Sequence, residues 1–187
     1  DDSGISIGAS MLKYREVTRD NKVYNLDNNF YHHYDRCEVN GDKKSIQDIV
    51  DLLKDQKVVA IFEGSPEAGP RALGHRSLLF DPRNKNGKDI MNSIKNREWY
   101  RPFAGVILEE HFSEWFETLG LERSEYMTIN FECKDKTKEY VPAIVHVDNT
   151  CRVQTVSSGF LFNLLSLFYE QTGCPMLMNT SFNMAGD

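Results

Sequence analysis

An apolar run, Lys57-Val58-Val59-Ala60-Ile61-Phe62, is followed at once by three glycines and two prolines packed between positions 63 and 77. This juxtaposition limits the fold more than any other feature of the chain. A short, continuous apolar run reads as a buried strand. Proline and glycine then impose a sharp turn instead of a helix. The strand therefore feeds a loop whose backbone can approach a ligand closely or take φ > 0.

Other segments extend this pattern. Ser45-Ile46-Gln47-Asp48 forms a capping box and opens a helix with Ile46, Ile49, Val50, Leu52 and Leu53 on one face. Strands are expected over 77–80, 103–108, 126–131, 153–156 and 176–178. Helices are expected over 86–96, carried by Ile90, Met91 and Ile94, over 109–119, and over 160–171 with Gly173 as its C-cap. Strands and helices mix, so the class is α/β, with α+β also compatible. Residues 4–17 begin as a Gly/Ser/Ile alternation and become a short apolar stretch. Residues 18–44 are polar, Asn/Asp-rich and aperiodic, as in a linker. The main domain is expected over 45–187, and both ends read as cut.

No apolar run approaches the ~18 residues of a membrane span. No signal peptide is visible, and a cytoplasmic protein is expected. The cysteines at 37, 133, 151 and 174 form no C-x-x-C pair and read as reduced thiols. Histidines 32, 33, 75, 111 and 146 show no metal-ligand spacing. The net charge of −6 argues against a nucleic-acid coat, but it hides an asymmetry. Residues 68–101 hold eight Lys/Arg against three Asp/Glu, a local +5, so the remainder carries −11. A basic block in an acidic chain points to a confined anion site.

Four segments carry chemistry. In 63–77, Arg71 and Arg76 add two planar donors of the kind that grip phosphate or carboxylate. A tight turn with solvated arginines is the alternative, and no G-K-[ST] follows to make a Walker A loop. Around Lys95, Arg97 and Arg101, cations follow a helix end. Lys95 and Arg101 lie six apart across the helix end and point at one pocket if the chain reverses at Trp99-Tyr100. The helix dipole is the alternative for Lys95 and Arg97, and it fits Arg101 less well because Pro102 has already ended the helix. In 146–156, Arg152 and Gln154 share a strand face. An arginine within a Val-rich strand needs either an ion pair or an anionic ligand. In 178–183, Asn179, Ser181 and Asn183 alternate, so they either present amides and a hydroxyl to a phosphate or carbamoyl group or form a plain Asx/Ser turn. His75 and His146 are possible acid–base groups, though hydrogen-bonded structural roles suit them better.

Taken in order, the runs G-P-R-A-L-G-H-R-S-L-L-F-D-P-R (69–83), I-K-N-R-E-W-Y-R-P-F-A (94–104), H-V-D-N-T-C-R-V-Q-T-V (146–156) and N-T-S-F-N (179–183) resemble the C-terminal domain of the carbamoyltransferase family. That family includes nodulation carbamoyltransferases (NodU) and antibiotic O-carbamoyltransferases (CmcH, TobZ). The opening Asp2-Ser3-Gly4-Ile5-Ser6-Ile7-Gly8-Ala9 resembles the end of the family's N-terminal domain.

The resemblance implies a YrdC-like fold, a twisted mixed sheet flanked by helices. It implies that ATP with Mg²⁺ and carbamoyl phosphate form carbamoyl-adenylate, releasing pyrophosphate. An N-terminal actin/sugar-kinase-like domain of the same chain, holding an iron-type divalent metal, would then pass the carbamoyl group to a hydroxyl of a small-molecule acceptor. On this likeness 1–17 are a remnant of that domain. Lys95, Arg101 and Arg152 take catalytic positions. Arg71, Arg76, Asn179, Ser181 and Asn183 take substrate- and nucleotide-binding ones, and Asp2 is a metal ligand once the N-terminal domain is present. The chain departs from the family at Ser3, where a second acidic residue is expected, and through 18–44. Two other functions compete: a YrdC-type threonylcarbamoyl-adenylate synthase for tRNA modification, and a non-catalytic nucleotide- or RNA-binding module.

Overall fold

A computed structural model describes the backbone of residues 2–20 and 43–184, with side chains from residue 8. The opening segment is a helix, α1 (Asp2–Thr18), and not the expected alternation. Its Leu12, Tyr14 and Val17 are exposed. The side chain of Asp2 and most of the expected linker lie outside the described residues, as does Cys37.

Helix α2 (Ile46–Lys54) starts on the expected capping box: Ser45 Oγ accepts from the Asp48 N–H, and the Asp48 carboxylate accepts from the Ser45 N–H. Ile49, Val50 and Leu53 are buried. Strand β1 (Val59–Phe62) follows, shorter and less buried than its apolar run suggests, because it occupies a sheet edge with one face toward solvent. β2 (Arg76–Phe80) and α3 (Gly87–Ile94) come next. On α3 only Met91 of the three expected apolar residues is buried, and Ile90 and Ile94 remain exposed.

β3 (Ala104–Leu108) is buried throughout. The long helix expected over 109–119 does not form. A 3₁₀ turn leads into a single-turn α4 (Phe112–Trp115), and the chain returns to the sheet as β4 (Phe116–Glu117). Burying Phe112, Trp115 and Phe116 together wins over helix propagation. β5 (Asn130–Cys133) starts later than expected, because Met127 adopts φ 53° and breaks the extended run. α5 (Asp135–Tyr140) was not anticipated, since its six residues carry no apolar period. β6 (Thr150–Val156) leads to α6 (Gly159–Thr172), which ends on Gly173 at φ 71° as expected. β7 (Met176–Ser181) runs three residues further than its apolar stretch.

The seven strands form one mixed sheet in the order β1-β2-β7-β3-β6-β5-β4. β3 and β6 are parallel, and the other neighbours are antiparallel. The α/β class therefore holds, with helices flanking the sheet. Leu161, Leu164, Leu165 and Phe168 of α6 join Leu79, Ile107 and Leu177 in the core. α2 is tied to α6 by Lys54–Gln171 and Gln171–Gln47 hydrogen bonds. Cys133, Cys151 and Cys174 are free and buried. No described helix is long and apolar enough to cross a membrane.

Candidate functional site

The loop between β1 and β2 is shaped from within. Glu63 N–H bonds the His75 carbonyl at 3.0 Å and closes its base. Glu67 Oε1 accepts from the backbone N–H groups of Leu73 (2.7 Å), His75 (2.8 Å) and Arg76 (3.2 Å). A carboxylate thus satisfies donors that a buried loop would otherwise strand. Gly74 sits at φ 109°, and a Cβ there would lie 2.4 Å from Leu161 Cδ1, so only glycine lets the loop pass α6. Arg76 donates to the carbonyls of Glu63 (3.0 Å), His75 (2.8 Å) and Gly64 (2.9 Å) and lies over the Phe62 ring. Its guanidinium is committed to the loop itself.

Beside this loop is a cleft of about 120 Å³, lined by Arg71, Arg97, Arg152, Asn179 and Ser181 among others. Arg152 and Gln154 share a face of β6, and Asn179 and Ser181 share a face of β7, as side-chain alternation requires. Arg97 is delivered by the end of α3. Asn96, at φ 50°, turns the chain there, the Arg97 N–H bonds the Asn92 carbonyl, and the Asn96 N–H bonds that of Ser93. The Arg97 guanidinium then donates to Asn92 Oδ1 (2.6 Å) and the Pro102 carbonyl (3.2 Å) over the Phe103 ring.

The ion pairs among the described residues include none with Arg71, Arg97 or Arg152. The structural ion pair weighed for Arg152 is therefore absent from them. Arg152 Nε is buried without a hydrogen-bond partner. Burial, and then the neighbouring Arg71, push the Arg152 pKa down. Burial, and then Arg101, do the same at Arg97. Three guanidiniums thus line one cleft with no carboxylate among the described residues paired to any of them.

Lys95 lies next to the cleft and is 3% exposed. Its Nζ contacts the carbonyls of Ser181 (2.5 Å) and Asn183 (2.7 Å), Asn183 Oδ1 (3.1 Å) and Ser181 Oγ (3.4 Å). It therefore fastens the exit of β7 to the end of α3. Burial, followed by Arg97, pushes its pKa down to about 8. Arg101 pairs with Glu98 at 2.8 Å, is 53% exposed at its side chain, and is not among the cleft residues.

The structure thus brings Arg71, Arg152, Asn179 and Ser181 into one cleft, joins Lys95 and Asn183 to its edge, and commits Arg76 and Arg101 elsewhere. Arg97 was passed over as a helix-end cation. Asn96 was the available signal, because asparagine is the usual substitute for glycine at a left-handed helix cap.

A larger cavity, about 290 Å³, adjoins the same loop. It is lined by Gly74, His75, Tyr126, Gln154, Ser157 and Gly159, among others, where β6 turns into α6. Ser158 makes no side-chain cap, so it leaves the first N–H groups of α6 to other partners. His146 has a structural role: its Nε2 meets the Phe103 carbonyl at 2.9 Å and its Nδ1 the Thr150 hydroxyl at 3.3 Å. Among the described residues, no group of three or more His, Cys, Asp or Glu side chains is placed to hold a metal ion.

The family model for the carbamoyltransferase C-terminus matches residues 50–187. The chain belongs to the carbamoyltransferase family. Nodulation protein NolNO of Sinorhizobium fredii is 43% identical over 137 residues, covering 70% of this chain and 20% of that protein. NolO of Bradyrhizobium diazoefficiens is 41% identical over 138 residues, covering 71% and 25%. Nodulation protein U of Azorhizobium caulinodans is 36% identical over 149 residues, covering 78% and 26%. The chain thus spans about a quarter or less of these relatives. Full-length HypF, solved in a phosphate- and nucleotide-bound form, shares the fold with a TM-score of 0.54 at 18% identity, over 78% of this chain and 18% of that one. In this carbamoyltransferase-family domain the arginine cleft and the larger cavity flank one Gly/Pro loop, with Gln154 between them.

Proposed function

We propose that this domain forms carbamoyl-adenylate from carbamoyl phosphate and ATP with Mg²⁺, for transfer to a hydroxyl of a small-molecule acceptor by a domain outside this chain. The observation that carries the reading is the cluster of Arg71, Arg97 and Arg152 in one cleft, with no ion pair to any of them among the described residues. In the reaction, water hydrolyses carbamoyl phosphate to carbamate and inorganic phosphate, and a carbamate oxygen attacks the α-phosphorus of ATP. The bond from that phosphorus to its bridging oxygen breaks, and pyrophosphate leaves. Negative charge gathers on the phosphoryl oxygens in the transition state. Preorganised guanidiniums stabilise it without a covalent nucleophile. Carbamate is short-lived, so a recessed cleft that holds it against the α-phosphorus adds proximity and limits hydrolysis. Lys95 fixes the Ser181 wall, and Arg101 adds positive field beside Arg97.

The purified chain, given ATP, Mg²⁺ and carbamoyl phosphate, is expected to release pyrophosphate and yield carbamoyl-adenylate by mass spectrometry. Release that ignores carbamoyl phosphate would overturn the reading. A requirement for threonine would assign the domain to threonylcarbamoyl-adenylate synthesis instead.

A further inference from the structure

The limb of the β1–β2 loop that follows Arg71 has every N–H from Leu73 to Arg76 taken. Those of Leu73, His75 and Arg76 converge on one atom, Glu67 Oε1. The N–H of Gly74, between them, donates to Ser77 Oγ at 3.0 Å, and Ser77 is fully buried. The carbonyls of Ala72 and Leu73 accept from the side-chain amides of Asn179 and Gln154. Bonds to a carboxylate are charge-assisted and stronger than bonds between neutral groups. Glu67 lies on the entering limb, and its three donors lie six, eight and nine residues later on the returning limb. One side chain therefore staples the two limbs together, with Pro70-Arg71-Ala72 in the stretch that it closes.

Arg71 depends on such a staple more than the other cleft arginines do. Arg152 rises from β6 inside the sheet. Arg97 is held by Asn92 Oδ1, the Pro102 carbonyl and the Phe103 ring. Arg71 stands on a loop and is exposed, and no ion pair among the described residues holds its side chain. Its reach into the cleft is set by where the loop puts its Cα. We propose that Glu67 is the positioning residue for Arg71: through the loop backbone, its carboxylate oxygen sets the guanidinium against the anion that the cleft binds. Glu67 is not itself among the residues that line the cleft. Ser77 is a second, weaker fastening of the same loop. This inference rests on the anion-cleft reading above. A carboxylate near an anion site opposes the ligand by its charge, and here three N–H dipoles offset that charge.

Two substitutions separate position from charge. Glu67→Gln keeps an oxygen at the same reach and loses the charge. Glu67→Asp keeps the charge and draws the oxygen back by one methylene. The test is calorimetric titration of the intact chain with inorganic phosphate, for each variant alone and combined with Arg71→Ala, with thermal melts to confirm folding. Arg71→Ala and Glu67→Asp are each expected to lose about tenfold in phosphate affinity, and Glu67→Gln less than about threefold. In the Arg71→Ala background, Glu67→Asp is expected to change affinity by less than about twofold, because it acts only through Arg71. Ser77→Ala strands one loop N–H. It is expected to lose about threefold alone and nothing further in Arg71→Ala, and it decides the matter if Glu67→Asp does not fold. Wild-type affinity in Glu67→Asp, a greater loss in Glu67→Gln than in Glu67→Asp, or losses that add fully to that of Arg71→Ala overturn this inference and leave the arginine cleft standing. A wild type that binds no phosphate, or an Arg71→Ala that binds it as tightly as the wild type, overturns the cleft reading and this inference with it.

Discussion

Arg152 places a cation where folding alone gives it no partner. Its Nε lacks a hydrogen bond, and Arg71 opposes its charge. Arg152→Met keeps an extended side chain and removes that charge. This variant is expected to melt no lower than the wild type while losing at least about tenfold in phosphate affinity. Paired melts and titrations check both halves, and a lower melting temperature with binding retained would contradict the assignment. Arg97 and Arg101 separate in the same assay. Arg97→Ala is expected to lose about tenfold or more, whereas exposed Arg101→Ala should lose less than about threefold, since solvent screens it. Lys95 carries a pH signature. Its folded pKa, about 8, lies below the ordinary lysine value of 10.5, so the unfolded chain holds more protons between those values. The stability contributed by this group therefore rises with pH across that window and is lost as pH falls through about 8. NMR titration of ¹³C-methylated lysines should place Lys95 near this midpoint, and a midpoint above about 10, where solvated lysines titrate, would remove the prediction.

At the scale of elements, the β1–β2 loop depends on one backbone conformation. Gly74→Ala adds a methyl group 2.4 Å from Leu161 Cδ1 at φ 109°. It is expected to destabilise the fold by about 1–3 kcal/mol in urea unfolding, and unchanged stability would show that α6 yields easily. The apolar strands β2, β3 and β6 were legible because their runs are short and bounded by turn residues. So was the shared face of Asn179 and Ser181, which needs only the two-residue period. The arginine set was legible in part. Arg152 declared itself as a charge inside an apolar strand. Arg97 follows directly on the left-handed turn at Asn96 and lines the cleft, whereas Arg101 lies four residues further on and pairs with Glu98, and neither placement follows from periodicity. The carbonyl bonds of Arg76 were not legible, because a guanidinium suited to phosphate is equally suited to three converging carbonyls. The 109–119 segment failed as a helix because Phe116 is held in the sheet opposite Cys133.

For the whole molecule, a ligand that binds only the folded state must raise its melting temperature. At a hundred times the dissociation constant the gain is about 2.7 kcal/mol, or roughly 5–10 °C for a chain of this size. Differential scanning fluorimetry with carbamoyl phosphate measures it, and a flat response at saturating ligand would argue against the cleft. The last described strand, β7, pairs with both β2 and β3 and lies near the middle of the sheet. It is the seam between a β1–β2 hairpin and the β3-β6-β5-β4 group. A chain emerging from the ribosome therefore holds two unjoined sheet fragments until residues 176–181 clear the exit tunnel. Because β7 also brings Asn179 and the oxygens that Lys95 grips, the cleft is completed in the same event that closes the sheet, and the nascent chain cannot hold its ligand before its fold is whole.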